Sequence, residues 1–158
     1  MPSVSYDRSA ASAYAERWAL SRNPAYYDFS SLGGDCTNFV SQCLFAGCGV
    51  MNNSPLNGWF YRSLNDRSPA WTSVDYLYRF LLSNRGNGPF ARIAEARDLL
   101  PGDMIQLGKA DGTFYHSLFV LSAQPDEIYI AAHSYDSLWR PLSSYSAARR
   151  RYLHIHAR

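Results

Sequence analysis

The stretch SLGGDCTNFVSQCLFAG, residues 31–47, leads from a glycine pair and an acid through a cysteine into an apolar run. Phe39, Val40, Cys43 and Leu44 follow the spacing of one helical face, which predicts a helix from Cys36 to about Ala46. Gly47 and Gly49 stop it. Cys36 then stands at the helix start, where backbone N–H groups are unpaired and the helix dipole is positive. Both favour thiolate over thiol. The same N–H groups are placed to stabilise an oxyanion. Asp35 reads as the cap of the helix, and Gly33 and Gly34 leave room for a substrate backbone to approach the thiol. Cys43 continues the buried face and reads as core. Cys48 follows between two glycines, and a Cys43–Cys48 disulfide stays open for an oxidising compartment. Three cysteines leave at least one thiol unpaired within a monomer.

Upstream, residues 6–22 read as a helix. Asp7 or Ser9 caps it, and Tyr14 and Trp18 lie four apart on one face. Proline in RNP, 22–24, ends it. Residues 49–71 are loop-like. A third helix is predicted over 72–84, with Val74, Leu77, Tyr78 and Leu81 on one face and Thr72 or Ser73 as cap; NRGNGPF closes it. Beyond it the period shifts toward two. GDMIQLG (102–108), TFYHSLFVL (113–121), EIYIAAHS (127–134) and YLHIHA (152–157) read as strands. Helices first and an antiparallel sheet afterwards define an α+β domain. A chain of 158 residues suits one such domain, 1–158.

A nucleophilic cysteine needs a base, and there are four histidines. His116 interrupts an apolar strand, and His133 occurs in the next. A hairpin turning in SAQPDE, centred between Gln124 and Pro125, sets His116 opposite His133, Leu118 opposite Ala131 and Val120 opposite Tyr129. His116 would then take the thiol proton and His133 would orient it, a Cys–His–His relay. Asp136 is a rival orienting group. Interior histidines without function, or a zinc site on His116 and His133, are the alternatives, and the chain lacks an HExxH-type signature. His154 and His156 alternate on one face of the last strand and read as an exposed edge.

Composition narrows the classes. Apolar residues make up 47% and charged residues 18%, which is globular. The net charge is +2, and the single basic cluster, ARRRY at 148–152, reads as a solvated C-terminal edge. Without a basic stripe, nucleic acid is not an expected partner. No apolar stretch reaches about 18 residues, so no membrane span is expected. The first twenty residues lack the apolar region of a signal peptide, which leaves an intracellular protein or a domain cut from a precursor. Trp59, Tyr61, Trp71 and Trp139 read equally as groove lining or core.

GGDCTNFVSQC, LPGDMIQL and YHSLFVL, together with NPAYYDF, MNNSPLNGWFY, DRSPAWTSVDYLYRFL and AAHSYDSLWRPLSSY, resemble the NlpC/P60 and CHAP superfamily of papain-like cysteine peptidases. Within it the chain is most similar to the amidase-domain family, over nearly its whole length. Cys48 departs from the small residue expected there. The resemblance implies a papain-like fold, with the nucleophile helix packed on a C-terminal antiparallel sheet. It implies Cys36 as nucleophile, His116 as base and His133 as third polar residue. Tyr26 or Tyr27 would contact the thiol from upstream. It further implies hydrolysis of an amide or peptide bond through an acyl-enzyme, without cofactor, with bacterial peptidoglycan as a substrate class. Acyl transfer on the same machinery and a non-catalytic binding module are the other readings.

Overall fold

Chain order separates helices from strands. The computed structural model describes residues 5–158; the first four residues of the expected domain lie outside the described residues. Helices α1 (Arg8–Trp18), α2 (Cys36–Cys48), α3 (Pro69–Thr72) and α4 (Val74–Ser83) precede the main sheet. A small hairpin, β1 (Tyr61–Ser63) and β2 (Asp66–Arg67), lies between α2 and α3. The main sheet has six antiparallel strands: β3 (Pro89–Ala94), β4 (Met104–Gly108), β5 (Phe114–Ala123), β6 (Ile128–Ala132), β7 (Ser137–Pro141) and β8 (Arg149–Ala157). Their spatial order is β3-β8-β4-β5-β6-β7. The protein is therefore α+β, with its helices N-terminal to the sheet. Among the described residues no helix is long and apolar enough to cross a membrane.

Asp7 caps α1 by accepting from the Ala10 N–H, and Ser73 caps α4 by accepting from the Tyr76 N–H. α1 is shorter than the predicted 6–22, ending at Trp18. Its buried face is alanine: Ala11, Ala15 and Ala19 bring α1 close against α2. Gly47 completes the fit, because a Cβ there would meet the Tyr6 ring.

α2 runs to Cys48 and ends on left-handed Gly49. It is buried on nearly every side, not on one face alone, as befits a helix enclosed by α1, α3 and β5. Its polar side chains consequently find partners inside. Ser41 Oγ donates to the Trp71 carbonyl and accepts from Trp59 Nε1, and Trp71 Nε1 donates to Asn38 Oδ1. Trp59 and Trp71 are thus core, 4.6 Å apart, while Trp139 is half-exposed.

The sheet has an apolar layer on each face. Met104, Phe119, Ala131, Leu153 and Ile155 meet the helices; Ile105, Leu107, Leu118, Val120 and Ile130 pack beneath the loops on the other side. β3 and β7 are strands that no alternation of polar and apolar residues marks: PFARIA has one polar residue, Arg92, and SLWRP has Ser137 and Arg140 three apart. β8 is an interior strand, between β3 and β4, which corrects the expected exposed edge for His154 and His156. The basic cluster is solvated in part, with Arg149 and Arg150 exposed, and is corrected at Arg151. Arg151 is sandwiched by Tyr78 and Phe114 at 3.5 and 3.8 Å and donates to Gln106.

The GD of LPGDMIQL joins the two halves. Gly102 adopts φ +96°, and Asp103 is fully buried. Its carboxylate accepts from the Leu100 and Ile155 N–H groups, Arg8 Nη1 and His154 Nδ1, all at 2.8–2.9 Å. It ties α1 to β4 and β8. Removing it strands a buried arginine contact and two backbone donors. Asp103→Ala is expected to cost about 3–5 kcal/mol, read as a lower urea midpoint at unchanged slope.

Candidate active site

β6 stops at Ala132, and its ladder with β5 begins only at the Phe119–Ala131 pair. The first half of β5 is therefore bare on that edge. The N-terminus of α2 fills the gap. There the Ser117 backbone N–H reaches the Cys36 sulfur, and Thr37 Oγ1 lies 3.7 Å from it. Thr37 is held in turn by Ser117 Oγ at 3.0 Å, which accepts from Gln106 Nε2. Burial pushes the Cys36 thiol up, and these hydrogen bonds offset only part of the rise.

A cavity of about 560 Å³ opens at this edge, lined by Gly33, Gly34, Cys36, Leu107, Tyr115, His116, Ser134, Tyr135, Arg140 and Tyr145. Cys36 and His116 thus line the same cavity. A β-bulge explains how β5 contributes two consecutive side chains. Phe114 pairs with Gly108 and His116 with Leu107, so Tyr115 is the extra residue. Burial, and then the positive charge of Arg140, lower the His116 pKa to about 4. Its ring lies between those of Tyr115 and Tyr145, with centroids 6.5 and 6.0 Å away.

His133 is elsewhere. Val120 pairs with Ile130 and Phe119 with Ala131, one residue off the expected register. The slip turns His133 to the opposite face from His116. The expected opposition, and the direct His133–His116 contact built on it, are corrected accordingly. His133 is buried and stacked on Phe39 at 4.2 Å. Its Nδ1–H donates to Asp35 Oδ2 at 2.6 Å. Its Nε2 lies 2.8 Å from the Trp18 carbonyl oxygen and 3.1 Å from Arg22 Nη1. Asp136 is not beside His116 either; Arg22 donates to both of its oxygens, at 2.8 and 3.0 Å. Among the described residues no three metal-ligating side chains converge, so the paired histidines of the zinc alternative are not assembled.

Asp35 occupies the N-cap position of α2 as expected, but its side chain makes no capping bond to the helix backbone. Its side chain turns inward and accepts from the Phe29 N–H and Asn38 Nδ2 as well as His133. Gly33 and Gly34 take φ +84° and +99°, and a Cβ at either would meet open space. Backbone conformation, more than crowding, requires glycine there. Neither tyrosine proposed to touch the thiol lines the cavity: Tyr26 stacks on Trp71, and Tyr27 packs edge-on against Phe29. All three cysteines are free, so the Cys43–Cys48 pairing is absent.

Leu107, Tyr115, Ser134, Tyr135, Arg140 and Tyr145 line the cavity without a signal in the sequence. The last four lie in SYDSLWRPLSSY, a family marker in which Asp136 is the one residue assigned chemistry from sequence. Two of its residues, Tyr135 and Trp139, have φ of +55° and +53°. Such values are unusual for aromatic side chains. Trp139 sits in a second irregularity, where two β7 residues face one of β6.

The profile of the family described as "Putative amidase domain" matches residues 5–156, and the chain belongs to that family. Two proteins of Bacillus subtilis (strain 168), both described as uncharacterized, are similar to it. YhbB is 35% identical over 85% of this chain and 43% of its own length. YjcM is 28% identical over 84% of this chain and 32% of its own. The chain thus spans less than half the length of either relative. No solved structure matches it.

Alkylation of the native protein separates the thiols. Cys43 is fully buried and its thiol is pushed far up; Cys48 is raised to about 11. Iodoacetamide at pH 8 is expected to modify Cys36 first, by at least about tenfold over the other two, as read by peptide mass spectrometry.

Proposed function

We propose that this domain is a cysteine-dependent amide hydrolase of papain-like architecture. The observation that carries the reading is the shared cavity. A thiol at the start of a buried helix and an imidazole from the adjacent strand face one pocket. Membership of an amidase-domain family supports the reaction class.

In this mechanism the resting pair is neutral. Burial disfavours the charged form of both groups, raising the thiol and lowering the imidazole. Proton transfer from Cys36 to His116 then accompanies attack of sulfur on the amide carbonyl. The oxyanion forms beside the N-terminus of α2, where backbone N–H groups and the helix dipole stabilise it. His116 returns the proton to the leaving amine, leaving a thioester on Cys36. Water, deprotonated by His116, cleaves the thioester to a carboxylic acid. His133 acts as a positioning residue: through Asp35 it holds the segment that carries Cys36. Peptide bonds of bacterial cell wall are the proposed substrate, on the strength of the resemblance to NlpC/P60 and CHAP domains.

Cys36→Ala is expected to abolish release of peptide fragments from purified peptidoglycan, followed by mass spectrometry; full activity in that variant overturns the cysteine mechanism. His116→Ala should lower kcat by about 10²–10⁴. The pH profile follows from the imidazole. The working base is neutral, so kcat/KM is expected to hold above about pH 4 and to fall as pH drops through that value.

A further inference from the structure

The cavity wall holds no acidic side chain. Arg140 supplies its one guanidinium, and no carboxylate among the described residues pairs with it. Most other half-buried arginines are matched. Arg8 meets Asp103, Arg22 meets Asp28 and Asp136, and Arg151 meets Asp75. Arg140 is held in place by neutral contacts instead. Its guanidinium lies 3.7 Å from the centre of the Tyr145 ring, and its Nε–H donates to Ser144 Oγ at 2.8 Å. A half-buried arginine held by neutral contacts, without an internal anion, presents its fork to whatever enters the pocket.

We infer that Arg140 selects substrates bearing a carboxylate close to the scissile amide, an acidic amide or peptide. The inference rests on the reading of Cys36 as the nucleophile in this pocket. A bound carboxylate would complete the ion pair that the chain leaves unmade, and it would orient the carbonyl toward sulfur. The cost of bringing it into the pocket is offset by a charge-assisted, two-pronged hydrogen bond. A neutral analogue would leave the guanidinium without its anion in the pocket, which is where discrimination arises.

The test uses the thiol itself, before any amide is known. Cys36 of the intact protein is alkylated with iodoacetate and, separately, with iodoacetamide. The ratio of rates is compared with that of a peptide spanning residues 31–41, whose single thiol is Cys36. Alkylation develops no oxyanion, so an arginine that served only as an oxyanion donor would not change the ratio. We expect the ratio to exceed the peptide's by about tenfold. It should fall to the peptide's value in Arg140→Gln, be partly kept in Arg140→Lys, and be unchanged in the exposed control Arg85→Gln. In the unsubstituted protein the preference should weaken as sodium chloride is raised to about 0.5 M, a check that needs no variant to fold. A native ratio equal to the peptide's, or a preference that survives Arg140→Gln or high salt, overturns the inference. Hydrolysis that depends on Cys36 without charge preference would sink this inference and leave the hydrolase reading standing. A charge preference without hydrolysis of any amide would do the reverse.

Discussion

The carboxylate of Asp35 is the contact on which the candidate site depends. It is almost completely buried, and four groups converge on it: the Phe29 N–H, Asn38 Nδ2, His133 Nδ1 and, at 3.6 Å, Arg22 Nε. Each comes from a different place, respectively the loop before α2, α2 itself, the turn after β6 and the segment after α1. A buried carboxylate is costly unless it is paired and fully hydrogen-bonded, so its partners are held together as a set. Cys36 is the next residue. Its backbone cannot move without moving this knot, and the knot locks the helix start against the sheet.

The sheet supplies the other half by what it leaves out. Because β6 is short, one edge of β5 stays open, and the Ser117 N–H is free to meet sulfur instead of a neighbouring strand. The Tyr115 bulge then turns two side chains into the same cavity. Burial in this cavity raises the thiol and lowers the imidazole, so it favours the neutral form of each.

Much of this was legible in local pattern. The helix opened by Cys36, the caps Asp7 and Ser73, the α+β order and four of the main-sheet strands all come from short-range rules of spacing and capping. What failed depended on register and on distant partners. His116 and His133 were set opposite each other by symmetry about the turn, but Leu121 is an extra residue in the ladder, and one residue of slip reverses a strand face. Asp35 stands at the N-cap position, as its place before a helix indicates, but its side chain turns away from the helix backbone. Its real partners lie as far away as His133, which no local rule reports. Arg140 and Tyr145 fell in a segment with no periodic signal.

The sequence by itself determined the fold class, the helix start that carries the thiol and the candidate histidine on the neighbouring strand, because periodicity and caps act within a few residues. Only the tertiary structure decided which histidine shares the cavity with Cys36, that Asp35 and Asp103 are buried hubs, and that Arg140 faces the pocket without an acid to match it. Those outcomes are set by where strands stop and which residues bulge. They depend on free energies summed over the whole sheet and its packed helices, and no short window of sequence contains them.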